Sequence, residues 1–107
     1  MMVTWFDVGP EGLVAEGEVV PVSAGGKPIA LFLHEGAHYA VYDLCTHGEA
    51  QLSDGWVEDG CIECPLHQGK FCIKTGEALT TPVTEPVATF ETRVSDGRIE
   101  VAIATAE

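Results

Sequence analysis

The chain has 107 residues, 46% of them apolar and 21% charged, enough to fill one compact domain without disulfide staples. Seventeen acidic residues against five basic ones leave a net charge of -12, which repels phosphate backbones and anionic headgroups and argues against nucleic acid and membrane partners. A basic protein partner fits this surface.

Residues 1–7 show no basic patch followed by a long apolar run, and no stretch approaches the ~20 apolar residues of a membrane span. A cytoplasmic protein is expected. In chain order, β-branched and aromatic runs predict strands over 4–8, 18–22, 29–34 and 38–43, and later over 87–93 and 98–103. Turn signals separate them at Gly25-Gly26, Glu35-Gly36, Asp54-Gly55, Asp59-Gly60, Thr75-Gly76 and Asp96-Gly97. Ser95-Asp96-Gly97-Arg98 is the clearest hairpin signal. Almost nothing reads as helix, so the fold expected is all-β, an antiparallel sandwich or small barrel in a single domain over 1–107. From about 45 to 77 the strands shorten and glycine and proline thicken. That segment reads as a loop-rich subdomain inserted into the β framework.

The unusual chemistry lies in the same segment. Cys45-Thr46-His47 and Cys64-Pro65-Leu66-His67 are two ligand pairs separated by sixteen residues, each offering one thiolate and one imidazole. Two metals accept this donor set: structural zinc in a Cys2His2 site, or a [2Fe-2S] cluster with two cysteines on one iron and two histidines on the other. A zinc finger uses its cysteines as one pair and its histidines as another. Here the two types alternate, which suits two loops clamping a dinuclear cluster from opposite sides and leaves zinc as the weaker alternative.

Cys45-Thr46-His47-Gly48 and Cys64-Pro65-Leu66-His67-Gln68-Gly69 resemble the two halves of the Rieske motif. The run Ile62-Glu63-Cys64-Pro65-Leu66-His67-Gln68-Gly69-Lys70-Phe71, with Thr75-Gly76-Glu77-Ala78 and Pro82-Val83 after it, resembles the Rieske ferredoxins of bacterial aromatic-ring dioxygenases. Thr46-His47-Gly48-Glu49-Ala50 and Leu52-Ser53-Asp54-Gly55 fit the same family. The resemblance implies a Rieske fold and one [2Fe-2S] cluster, with Cys45 and Cys64 on the buried iron and His47 and His67 on the outer iron at an exposed tip. It also implies a one-electron carrier, not an enzyme, between a flavin-containing ferredoxin reductase and a terminal oxygenase. A monomer is expected. The alternatives are the Rieske small subunit of a nitrite reductase and, from another class, a structural zinc interaction module.

Respiratory-complex Rieske proteins add a cysteine to each loop, and these pair as a disulfide; Ala50 and Leu66 stand at the matching positions. That branch also places hydroxyls against the cluster sulfurs where this chain has Gly69 and Phe71, so a potential toward the low end of the Rieske range, about -150 mV, is expected.

The remaining candidates receive plainer readings. Cys61 and Cys72 are read as buried thiols outside the ligand set. His34 and His38, on a predicted hairpin, are read as surface or strand-end residues that diverge. Trp5 and Trp56 are read as core or loop-covering aromatics, and Asp43 and Glu49 as solvated acids. Pro65 is read as shaping and shielding the cluster loop. No nucleophile with a base partner, phosphate-binding loop or nucleotide fingerprint is present.

Overall fold

The computed structural model describes residues 2–46, 50–66, 69–80 and 85–105. Ten strands are assigned among them. The framework strands are β1 (Met2–Pro10), β2 (Val19–Ala24), β3 (Lys27–His34) and β4 (Ala37–Tyr42). A short 3-10 turn (Leu52–Asp54) then leads to β5 (Trp56–Glu58), β6 (Cys61–Glu63) and β7 (Lys70–Cys72). The chain finishes with β8 (Thr89–Phe90), β9 (Thr92–Ser95) and β10 (Arg98–Thr105).

Three antiparallel sheets result, in the orders β1-β10-β9, β2-β3-β4-β8 and β5-β6-β7. The fold is all-β, as expected. The four-stranded sheet lies between two apolar layers, and β3 shows why. Its alternate residues Ile29 and Leu31 pack with Ile99, Val101 and Ile103 of β10, while Ala30 and Phe32 pack with Ile62 and Phe71 of the third sheet. A strand buried on both faces needs apolar residues at every position, hence the unbroken Ile29-Ala30-Leu31-Phe32-Leu33. Full burial of each large side chain contributes about 1.5–3 kcal/mol.

The turns follow the local signals. Glu35-Gly36, Asp59-Gly60 and Asp96-Gly97 all take positive φ at both residues, the geometry that matches the twist of paired strands. One expected element divides. The run over 87–93 does not form a single strand: Thr89 and Phe90 pair with Val41 and Ala40, whereas Thr92 onward pairs with β10. Glu91 is the crossover, its carbonyl accepting from the Ala102 amide at 2.9 Å, and the Thr92 hydroxyl donates back to the His38 carbonyl at 2.7 Å. A uniform β-forming sequence cannot announce a change of partner. No helix among the described residues is long and apolar enough to cross a membrane.

Candidate metal centre

Two loops carry the candidate ligands, one after β4 and one between β6 and β7. The first begins where β4 ends, at Asp43. This carboxylate is 1% exposed and accepts from the Ser53 amide and hydroxyl, both at 2.6 Å, while its own amide donates to the Pro28 carbonyl at 3.0 Å. The expectation of a solvated acid is therefore wrong for Asp43. It is a buried clamp between the start of the first loop and the 3-10 turn that follows it, and its burial is tolerated because both carboxylate oxygens have donors. Within the loop the Cys45 amide donates to the Ala50 carbonyl at 2.9 Å, and the Thr46 hydroxyl reaches the Glu85 carbonyl at 2.8 Å. Glu49 lies outside the described residues.

The second loop joins β6 to β7, closed at its base by the Cys64 amide donating to the Gly69 carbonyl at 2.7 Å. The Lys70 amide donates to the Thr80 hydroxyl at 2.9 Å, and the Leu79 amide to the Lys70 carbonyl at 2.8 Å. Gly55 joins the two loops: it follows the 3-10 turn and passes so near the Glu63 carbonyl that any Cβ there would collide with it. Only glycine permits this approach.

Cys45 and Cys64 thus meet. They are 5% and 0% exposed, in the same apolar layer as Phe32, Leu52, Ile62 and Phe71. Burial, followed by the hydrogen bond with the Cys45 thiol, pushes the Cys64 thiol up to about 11, against the Leu66 amide, which donates toward its sulfur. None of the four cysteines is disulfide-bonded. Paired thiols, an amide aimed at sulfur and a dry surround fit an iron–sulfur cluster. His47 and His67, the expected imidazole ligands, lie outside the described residues.

Other residues depart from the readings made on sequence. Cys61 and Cys72 are not buried but partly exposed, and they stand opposite each other on β6 and β7. Trp56 is 58% exposed on β5 and covers no core, whereas Trp5 is half-buried on β1 with the Arg93 guanidinium 4.1 Å above its ring. His34 and His38 do not face each other, since His34 registers with Ala37 and His38 with Leu33. His34 lies 3.5 Å from the Glu35 carboxylate. His38 differs from a plain surface residue, because its Nε2 is buried and has no hydrogen-bond partner.

An all-β domain that brings two buried cysteines together on adjoining loops fits the class of iron–sulfur carriers. The family comparison is specific: the Rieske [2Fe-2S] domain matches residues 4–91. The anthranilate 1,2-dioxygenase ferredoxin subunit of Burkholderia cepacia is 46% identical over 99 residues, covering 92% of each chain. Among solved structures, the ferredoxin of Sphingomonas yanoikuyae B1 superposes with a TM-score of 0.88 at 31% identity, over 94% of this chain and 100% of that one. A complex of reduced oxygenase and oxidised ferredoxin in carbazole 1,9a-dioxygenase gives a TM-score of 0.86 at 36% identity, over 92% of each chain. The chain belongs to the Rieske [2Fe-2S] family and is a ferredoxin, an electron carrier whose cofactor is a [2Fe-2S] cluster. The zinc module is thereby set aside.

Proposed function

We propose that this ferredoxin passes single electrons from a flavoprotein reductase to the terminal oxygenase of an aromatic-ring-hydroxylating dioxygenase system, with its cluster held by Cys45, His47, Cys64 and His67. The adjoining burial of Cys45 and Cys64 carries the ligand assignment, and the alternating Cys-x-His and Cys-x-x-His pairs supply the two imidazoles. The bound cluster supplies a one-electron couple. Four protein ligands leave no open position for a substrate, so transfer to a partner is the whole task.

The chain's own residues set the terms of that transfer. The Leu66 amide donates toward the Cys64 sulfur, which favours the reduced cluster, but Gly69 and Phe71 add no hydroxyl to it, so a potential toward the low end of the Rieske range, about -150 mV, is expected. A net charge of -12 steers the carrier toward basic docking faces. The protein works as a cytoplasmic monomer that docks and leaves.

Iron and acid-labile sulfide analysis should find two of each per chain. Reconstitution with a purified reductase and ring-hydroxylating oxygenase should then give product only when the ferredoxin is added. Its electron-delivery rate should fall as salt rises, because screening acts over about 10 Å at 0.1 M. A colourless protein with one zinc would overturn the ligand assignment. Coupling to a sirohaem nitrite reductase, with none to the oxygenase, would overturn the system assignment.

A further inference from the structure

The third sheet registers Cys61 directly against Cys72. The Ile73 amide donates to the Gly60 carbonyl at 3.0 Å and the Cys64 amide to the Gly69 carbonyl at 2.7 Å. Positions 60/73, 62/71 and 64/69 are therefore the hydrogen-bonded steps of the ladder, and 61/72 falls between them as a non-hydrogen-bonded pair. In such pairs the Cα atoms are about 4.5 Å apart and the Cβ atoms make their closest approach. A disulfide requires Cα atoms about 4.4–6.8 Å apart and Cβ atoms about 3.5–4.5 Å apart. The register therefore places these cysteines within the Cα range of a disulfide, with their Cβ atoms near the upper end of its Cβ range.

Orientation and chemistry agree. Ile62 and Phe71, the neighbouring pair, are fully buried, so by strand alternation Cys61 and Cys72 both project to the outer face, where each is partly exposed. The two thiols are also unlike. The Thr75 hydroxyl, aided by the backbone amides of Thr75 and Lys74, holds the Cys72 thiol below the ordinary range. Burial, and next the charge of Cys72 itself, push the Cys61 thiol up. One residue suits nucleophilic attack and its neighbour suits resolution.

We propose that Cys61 and Cys72 form a reversible thiol-oxidation site, at which a peroxide closes a cross-strand disulfide around the second ligand loop. The Cys72 thiolate attacks a peroxide oxygen, breaking the O–O bond and leaving Cys72 as a sulfenic acid while the other oxygen departs as water. The Cys61 sulfur then displaces the sulfenic hydroxyl, forming the S–S bond and a second water. Two thiols are oxidised by two electrons and one peroxide is reduced to two waters. A dithiol reductant reverses the change by exchange. The ring so closed contains Cys64 and His67, and it pins the two strands from which that loop springs. Cys61 and Cys72 lie outside the proposed ligand set, and the site rests on that assignment: loss of iron in Cys61→Ser would break the assignment, whereas a missing disulfide with iron retained would break this proposal alone.

The test uses the cluster-loaded protein, treated with one equivalent of hydrogen peroxide, alkylated in acidic denaturant and digested with trypsin. Cleavage after Lys70 and Lys74 releases Phe71-Cys72-Ile73-Lys74 as a tetrapeptide. After peroxide, titratable thiols should fall by two per chain and the tetrapeptide should appear linked to the peptide that bears Cys61. Dithiothreitol should free it, and Cys61→Ser should abolish the link while retaining iron. An alkylated tetrapeptide from peroxide-treated wild type, a sulfinic acid on Cys72, or a tetrapeptide still linked in Cys61→Ser would each overturn the proposal.

Discussion

The two faces of the central sheet are built on different physical terms. Toward β10 the contacts of β3 are wholly apolar, Ile29 and Leu31 against Ile99, Val101 and Ile103. Toward the third sheet Ala30 and Phe32 also meet apolar partners, but the layer contains Cys45 and Cys64 and adjoins the buried Asp43. The first face is held by area removed from water, which is spread over many atoms and tolerates adjustment. The second depends on a few specific contacts: a carboxylate clamp, a glycine against a carbonyl, and two loop-closing amides. Stability should therefore be read from the first layer and ligand geometry from the second.

The strongest way to break this division is to exchange the effects. Cys64→Ala and His67→Ala should each remove a ligand and abolish cluster absorbance and bound iron completely. Leu31→Ala, fully buried in the opposite layer, should cost about 2–5 kcal/mol in denaturant unfolding yet keep full iron per folded chain. Iron loss from folded Leu31→Ala would show that the layers are not separable.

A smaller effect is expected where the two loops touch. Gly55→Ala drives a methyl group into the Glu63 carbonyl, so the 3-10 turn must move off β6 at about 1–3 kcal/mol, in the range for overpacking. Release of iron to a chelator should quicken in parallel. Unchanged release with lowered stability would place the strain outside the ligand loops.

Ser53→Ala takes one of two donors from the buried Asp43 carboxylate while the amide donor remains. About 1.5 kcal/mol should be lost by urea titration, the lower end for a hydrogen bond to a charged group. Asp43→Asn removes the charge while keeping the shape and one acceptor oxygen.

The smallest change should come from the outer framework. Asp7 lies on β1, where the Arg98 hydrogen bond outweighs desolvation and, assisted by that residue's charge and the Gly9 amide, holds its carboxyl below the usual range. A lowered folded pKa means stabilisation present above the ordinary carboxylate range and lost as pH falls through the folded value. The difference in melting temperature between wild type and Asp7→Asn should be small at neutral pH and close in acid. A gap that widens in acid would contradict the sign.

How much of this was readable from sequence depended on how far each feature reaches along the chain. The Asp96-Gly97 hairpin and the doubly buried β3 are written in adjacent residues, through turn chemistry and unbroken apolar runs. The split of 87–93 into β8 and β9 is invisible locally, because both halves are good strand formers and only their partners differ. The burial of Asp43 is invisible for a similar reason: its donors sit ten residues on, at Ser53, and no spacing rule connects them. The facing of Cys61 and Cys72 did leave a trace. Counting outward from a loop closed by Cys64 and Gly69 brings 61 to 72, provided the ladder is known to continue.

The sequence by itself determined the β class, the turns and the family, since β-branched and aromatic runs, Asp-Gly and Glu-Gly pairs and two ligand motifs are each encoded within a few residues. Tertiary structure alone decided that Cys45 and Cys64 share one dry layer, that Asp43 is a buried clamp and that Cys61 opposes Cys72. These depend on which strands pair and in what register. Register is settled by the sum of contacts over whole sheets, and a slip of one residue would turn every side chain to the other face.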